Sequence, residues 1–233
     1  FTLADWPASL TIQKGLPQAS GAAVDAYTFV GAMVDSWEFD ALNADIAKLK
    51  VTLDAKDVAT ATAYAAPSYA VAPSLFHFAN GSIFTGALTA PTATTLASAA
   101  TPLASVRGAT IKVDNRPKID RYNLGNAGRK SKPTEGLRQI TGKLDVEYDS
   151  TLFRDAVINE TPMTLVLTYT GAALSTGVET LQVVVPEIKF TTQLPMTNGT
   201  DLILQSMAFD GLDNLTGGQQ PVYVVCRTSD AAL

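Results

Sequence analysis

Between Gln139 and Gly171 the chain changes its hydrophobic period twice. Ile140, Leu144, Val146 and Tyr148 share one phase of a two-residue alternation, with Gly142 in step, while Thr141, Lys143, Asp145, Glu147 and Asp149 hold the other phase. A period of two over ten residues, charged along one phase, predicts a strand with one dry face and one wet face. The period then lengthens. Leu152, Phe153, Ala156 and Val157 make the apolar stripe of a short helix, with Ser150 as its expected N-cap and Asn159 as its expected stop. Met163, Leu165, Leu167 and Tyr169 resume the alternation as far as Gly171. The unit is strand, one-sided helix, strand, and its apolar faces require a second sheet to cover them.

The same two-residue pattern recurs along the rest of the chain. Leu10 and Ile12 alternate with Thr11 and Gln13 as a first strand, and Gly15, Pro17 and Gly21 mark a turn. Residues 26–42 supply Tyr27, Phe29, Trp37, Phe39 and Ala41 to two strands or one bent strand, with Gly31 at the bend. After a turn at Asn43, Ala44 and Asp45, the run Leu49, Val51, Leu53 and Ala55 opposes Lys48, Lys50, Thr52, Asp54 and Lys56. Strand text at Leu75–Phe78 and Ser82–Thr85 brackets Asn80-Gly81, a pair that predicts a hairpin turn. Further strands are expected near 105–114, 178–190, 201–209 and 221–227, with turns at Asn198-Gly199 and Gly217-Gly218. Three stretches lack a period and are expected as long loops: 59–73, the uncharged Ala, Thr and Pro text of 86–104, and 115–138. Nine or more short strands, one helix and Gly, Pro and Asn turns predict a mainly β chain. Its expected architecture is an antiparallel β-sandwich or partly closed barrel with one short flanking α-helix, in a single domain over residues 1–233.

Composition narrows the function more than the fold. A charged fraction of 17% excludes a highly charged disordered chain, and a net charge of −5 disfavours a general nucleic-acid-binding surface. Cys226 is the one cysteine, so no internal disulfide can form, and its alternation with Val222 and Val224 predicts a small core residue. No apolar run is long enough to span a membrane, and no signal peptide is visible, so no membrane partner is expected. The chain begins at Phe1 rather than Met, and an upstream portion is expected to be missing.

Catalytic chemistry finds little to work with. His77 is the one histidine, and its place between Phe76 and Phe78 puts it on the polar face of a strand. His77 and Cys226 together are too few for a zinc site, so neither metal nor cofactor is expected. Glu38 with Asp40, and Asp145 with Glu147 and Asp149, place carboxylates on single strand faces. Such groups could serve a glycosidase or hold calcium, but a solvated strand face explains them more simply. The segment Asp210–Asn214 shares only composition with a calcium loop and is expected to be a turn. The stretch 115–138 stands out: Arg116, Lys118, Arg121, Arg129, Lys130, Lys132 and Arg138 face only Asp120 and Glu135. Within an acidic chain, this basic island is either a solvated connector or an arm that docks onto an acidic neighbouring subunit.

The order of these elements resembles the tail tube (major tail) proteins of long, flexible-tailed bacteriophages. The matching text is ASLTIQKG, AYTFVGAMVDSWEFDALNADIAKLKVTLDAKD, RQITGKLDVEYDSTLFRDAVINETPMTLVLTYTG, TLQVVVPEIKF and TNGTDLILQSMAFDGL. The resemblance implies a structural virion protein rather than an enzyme, made in the host bacterial cytoplasm and built into the phage tail. Six copies would form a ring, and rings would stack into a tube whose lumen passes DNA without binding it specifically. A tape measure protein and tail terminator and tip proteins are the implied partners. Within that frame Glu38, Asp40, Asp145 and Glu147 are the candidate lumen-facing acids, and the basic residues of 115–138 are the candidate contacts between subunits or rings. Two other readings stay open: a carbohydrate- or receptor-binding decoration sandwich, which needs an exposed Trp and Tyr cluster, and a β-sandwich glycoside hydrolase, which needs a pocket and a carboxyl with a raised pKa.

Overall fold

Strands of the expected period make up most of the computed structural model, which describes residues 8–21, 23–68, 75–125, 131–134, 136–192, 203–213 and 219–228. They are β1 (Leu10–Pro17), β2 (Val24–Leu42), β3 (Lys48–Asp54), β4 (Asp57–Ala59), β5 (Gly81–Thr89), β6 (Ser98–Pro102), β7 (Val106–Asp114) and β8 (Gln139–Glu147). After the helix α1 (Leu152–Ile158) come β9 (Met163–Ala173), β10 (Val178–Phe190), β11 (Leu204–Gly211) and β12 (Tyr223–Arg227). Every pairing is antiparallel, and the path β1-β2-β7-β8-β11-β10-β9-β5-β6 does not close into a barrel. β3 and β4 follow one another along the second edge of β2, and β12 pairs with β10 beside β11.

Two-residue alternation places the core. Phe39, Ile111, Val113, Ile140, Leu144, Val146, Met207 and Phe209 project from β2, β7, β8 and β11 onto Leu165, Leu167, Tyr169, Val183 and Val185 of β9 and β10. One half of the sheet thus faces the other as a sandwich. α1 closes one side by burying Phe153 and Ala156, and the Phe153 ring meets Phe190 edge-on at 5.8 Å. Its N-cap is Thr151 rather than Ser150 and makes no side-chain cap bond; Asn159 is the C-cap, as expected. β2 is one strand of 19 residues, bent at Gly31, whose φ of +66° suits glycine.

The uncharged stretch 86–104 is not a surface loop. It holds the end of β5 and all of β6, and Ala97 is buried beneath it with Val166, Val184 and Tyr223 in a second small core. The reason is Gln182. Its amide accepts from Ala97 N–H at 2.9 Å, donates back to Ala97 O at 3.0 Å, and donates to Thr168 Oγ1 at 2.9 Å. That clamp satisfies backbone groups that an irregular segment cannot otherwise bury. Both faces of β9 and β10 are therefore covered, which is why Leu165, Val166 and Leu167 are all buried in succession. Gln182→Leu orphans both Ala97 groups and should destabilise the folded chain by about 2–4 kcal/mol. Chemical denaturation of the purified protein measures this, and a loss of under about 1 kcal/mol would deny the clamp its role.

Three further expectations fail for local reasons. Asn80-Gly81 is not a hairpin turn: Phe78–Asn80 form a 3-10 turn, and Gly81 opens β5 with an ordinary φ of −86°. Residues 75–78 make no strand, because Phe78 N–H donates to Asp45 O, Ala47 N–H donates to Phe76 O, and His77 forms a lone bridge with Ile46. Cys226 lies in phase with Val222 and Val224 but is exposed, because β12 runs along an open side of the sandwich. The expected turns at Asn198-Gly199 and Gly217-Gly218, and Phe1, lie outside the described residues.

Candidate functional site

Strand register decides what the charged face is. Glu38 of β2 stands opposite Lys50 on one side and Lys112 on the other, and Asp40 stands between Lys48 and Thr110. Thr110 lies opposite Lys143, and Lys112 opposite Thr141. On the next strand Asp145 faces Ser206, Glu147 faces Leu204, and Thr141 faces Asp210. All four candidate acids therefore share the outer face of the β3-β2-β7-β8-β11 half, opposite the core. They do not form a bare acidic wall. Seven carboxylates on this face (Glu38, Asp40, Asp54, Asp114, Asp145, Glu147 and Asp210) are interleaved with four lysines (Lys48, Lys50, Lys112 and Lys143) and Arg107, a net of −2.

Local bonds reinforce the interleaving. Thr110 donates to Asp40 at 2.9 Å, Lys143 approaches Asp145 at 3.3 Å, and Arg107 lies 3.5 Å from Glu147. Each pair is partly exposed, so each contributes little to stability. Their effect is on the potential of the face. Sequence periodicity identified the acids, and it also put Lys48 and Lys50 on a polar phase. That these lysines lie beside Glu38 and Asp40 follows from pairing between distant strands, which periodicity does not encode.

A second feature is the open side between β3 and β12. Leu49, Val51 and Leu53 continue the core-facing phase of Phe39, Trp37 and Val34, as the alternation predicted. They stay exposed, Leu49 at 62%. A cleft of about 310 Å³, almost wholly apolar, runs from Leu49 and Val51 to Leu181, Val183 and Val224. The outer backbone edge of β3 pairs with no strand of the described chain. An edge with an apolar row beside it invites another chain.

The third is the 115–138 connection, which leaves from the Asp114 end of β7 and returns at Gln139 of β8. Its described residues are hydrogen-bonded to one another. Lys118 N–H donates to Thr134 O at 2.7 Å, Ser131 N–H to Arg121 O at 2.8 Å, and Arg121 Nη1 to Lys132 O at 2.8 Å. Its base is anchored by Asn115, which donates from its backbone to Asp35 O and from its side chain to Val34 O. Arg138 Nε donates to Asn115, and Arg116 pairs with Gln139 and Asp114. The described part of the connection is a two-limbed arm. Arg116, Lys118, Arg121, Lys132 and Arg138 lie on its described part, whereas Arg129 and Lys130 lie outside the described residues. Large apolar side chains that sequence reasoning passed over stand among the cations: Ile119, Tyr122, Leu124 and Leu137 are exposed, Leu124 completely.

The Lys48 ammonium and the Ile46 N–H beside Asp45 hold its carboxyl below the usual carboxylate range, and Lys189 does the same for Glu160 from 2.6 Å. A general acid needs the opposite displacement. Among the described residues, no three His, Cys, Asp or Glu side chains are grouped to hold a metal ion, and no helix is long and apolar enough to cross a membrane. Trp37 packs against the core, and Trp6 lies outside the described residues. Comparison with curated proteins gives no match. A family model described as a phage tail tube protein matches residues 2–211.

Proposed function

The chain belongs to the phage tail tube protein family, a family of structural proteins of the virion tail, and we propose that six copies close into a ring whose stacked repeats form the tube that carries DNA to the host. The observation that supports this best is the unfinished side of the sandwich. β3 offers a strand edge, and Leu49, Val51 and Leu53 offer an apolar row that the described residues leave exposed. A neighbouring copy related by rotation satisfies both at once: its own strand edge pairs with β3, and its side chains cover the row. In such a ring the outer face of β3-β2-β7-β8-β11 turns toward the axis, and Glu38, Asp40, Asp145 and Glu147 line the lumen together with the four lysines. The basic arm, with Arg116, Lys118, Arg121, Arg129, Lys130, Lys132 and Arg138, reaches between subunits.

The tape measure protein would occupy the lumen before DNA does, and terminator and tip proteins would close the two ends of the tube. Synthesis takes place in the host cytoplasm, and assembly needs neither membrane nor cofactor. Negative-stain microscopy of the concentrated protein, with any upstream portion restored, should show rings or hollow tubes with six-fold end views. A folded protein that stays monomeric at high concentration would overturn the proposal.

A further inference from the structure

β2 is bent at Gly31 and interrupted again four residues later. Its pairing with β3 steps from Val34 opposite Leu53 to Ser36 opposite Thr52, so Asp35 is the extra residue of a β-bulge. Along the other edge of β2, the ladder to β7 ends where Ser36 stands opposite Asp114. The carbonyls of Val34 and Asp35 therefore fall beyond its last rung and need partners elsewhere. Asn115 takes both. Its backbone N–H donates to Asp35 O at 2.8 Å, and its side-chain Nδ2 donates to Val34 O at 3.0 Å. The other end of the same amide is used as well, because Arg138 Nε donates to Asn115 Oδ1 at 2.8 Å. One residue thus joins the outgoing limb of the 115–138 connection, its returning limb and the bulge in β2.

The turn that follows is held closely. Arg116 is left-handed, with φ of +44°, and its N–H donates to Asp114 Oδ1 at 3.0 Å. Its guanidinium pairs with Gln139 and Asp114 across the end of the β7–β8 ladder. Gly136, on the returning limb, presses against this turn, and a Cβ built there would overlap the Arg116 carbonyl. The pairs farther out, Lys118 with Thr134 and Ser131 with Arg121, tie the limbs to each other and not to the sandwich. The direction in which the arm leaves is therefore fixed at its base. We propose that Asn115 is the positioning residue that presets this direction in the free subunit, before any neighbour is present. Its part in assembly rests on the ring-and-tube reading above. A preset arm carries little ordering cost into the tube, whereas an arm on a loose base carries more.

Two spin labels read that direction in the dilute chain, in a Cys226→Ser background that removes the exposed native thiol. Leu124→Cys places one label on the arm at a fully exposed position, and Thr52→Cys places the other on the exposed face of β3. The chain with Asn115 intact should give one narrow distance distribution. Asn115→Ala removes both side-chain bonds, raises the population of the detached base by about tenfold or more, and should broaden the distribution. Hydrogen exchange separates positioning from a general loosening. In Asn115→Ala the backbone N–H at position 115 should exchange about tenfold faster or more, while the Lys118 N–H and the amides of β7 and β8 keep their parental protection. An unbroadened distribution, or faster exchange at all of these amides together, would overturn the positioning role. Asn115→Ala should still form rings, but tube growth should need about tenfold more protein. Parental tube growth by a variant whose distribution has broadened would refute presetting as a step in assembly. If the parent chain forms neither rings nor tubes, the ring-and-tube reading fails, and the label distances in the dilute chain still decide the role of Asn115.

Discussion

Gly142→Ala should lower the unfolding temperature of the purified chain by about 6–12 °C, and Gly142→Val should leave little folded protein. Gly142 sits mid-strand in β8, opposite Ile111 on β7 and Phe209 on β11. Its backbone is not in the left-handed region, so conformational freedom is not the issue. Space is. A Cβ built there overlaps both the Phe209 ring and the Thr110 carbonyl oxygen. The ring is fully buried and wedged edge-on against Phe190 at 6.4 Å, so it cannot swing aside. The carbonyl belongs to the neighbouring strand, so relieving that overlap means moving β7 against β8. Overpacking of this kind costs about 3 kcal/mol even for one methyl, and more for a branched side chain. If Gly142→Ala unfolds within about 2 °C of the parent, the ring and strand have room that the structure denies them.

Gly142 also shows how far the sequence could be read. Its place in the apolar phase of β8 was legible, because Ile140, Leu144 and Val146 fix that phase. The aromatic ring filling the gap above it was not, since Phe209 comes from a strand 67 positions later. Period-two text located β8, β9, β10 and the bend in β2 well, and the lengthened period between β8 and β9 located α1. Residues 86–104 escaped because Ala and Thr carry no strong phase; what orders them is a buried glutamine in β10. The apolar row Leu49, Val51 and Leu53 was assigned to the correct face, yet periodicity cannot say whether a face is covered within one chain. That difference separates a core residue from an assembly surface. Cys226 was misplaced for the same reason. The arm was legible as a basic island, whereas its limb pairing rests on backbone bonds that charge does not reveal. The four acids were found by phase alone, and their alternation with lysines emerged only from register.

That alternation sets the largest expected effect on function. In the proposed ring, the lumen face carries a net of −2 per subunit, with signs mixed along and across the strands. DNA passing along it meets neither a uniform repulsive wall nor a run of cations able to displace its counterions. Asp145→Lys with Glu147→Lys turns the net from −2 to +2 per subunit and places new cations beside Lys143 and Arg107. Both positions are partly exposed, so folding and ring formation should survive the change. Every ring then offers sites that bind phosphate by releasing counterions, an attraction that falls steeply as salt rises. Ejection from assembled particles should slow by about tenfold or more near 20 mM salt and return toward the parental rate near 0.5 M. A charge exchange separates net charge from any local contact. Glu38→Lys with Lys112→Glu keeps the total and the opposite-charge pair across β2 and β7, at the cost of the pair with Lys50, and it should eject at the parental rate at both concentrations. If the doubly lysine-substituted particles also eject like the parent at both, these side chains do not face the DNA path, and the orientation of the sheet in the tube must be reversed.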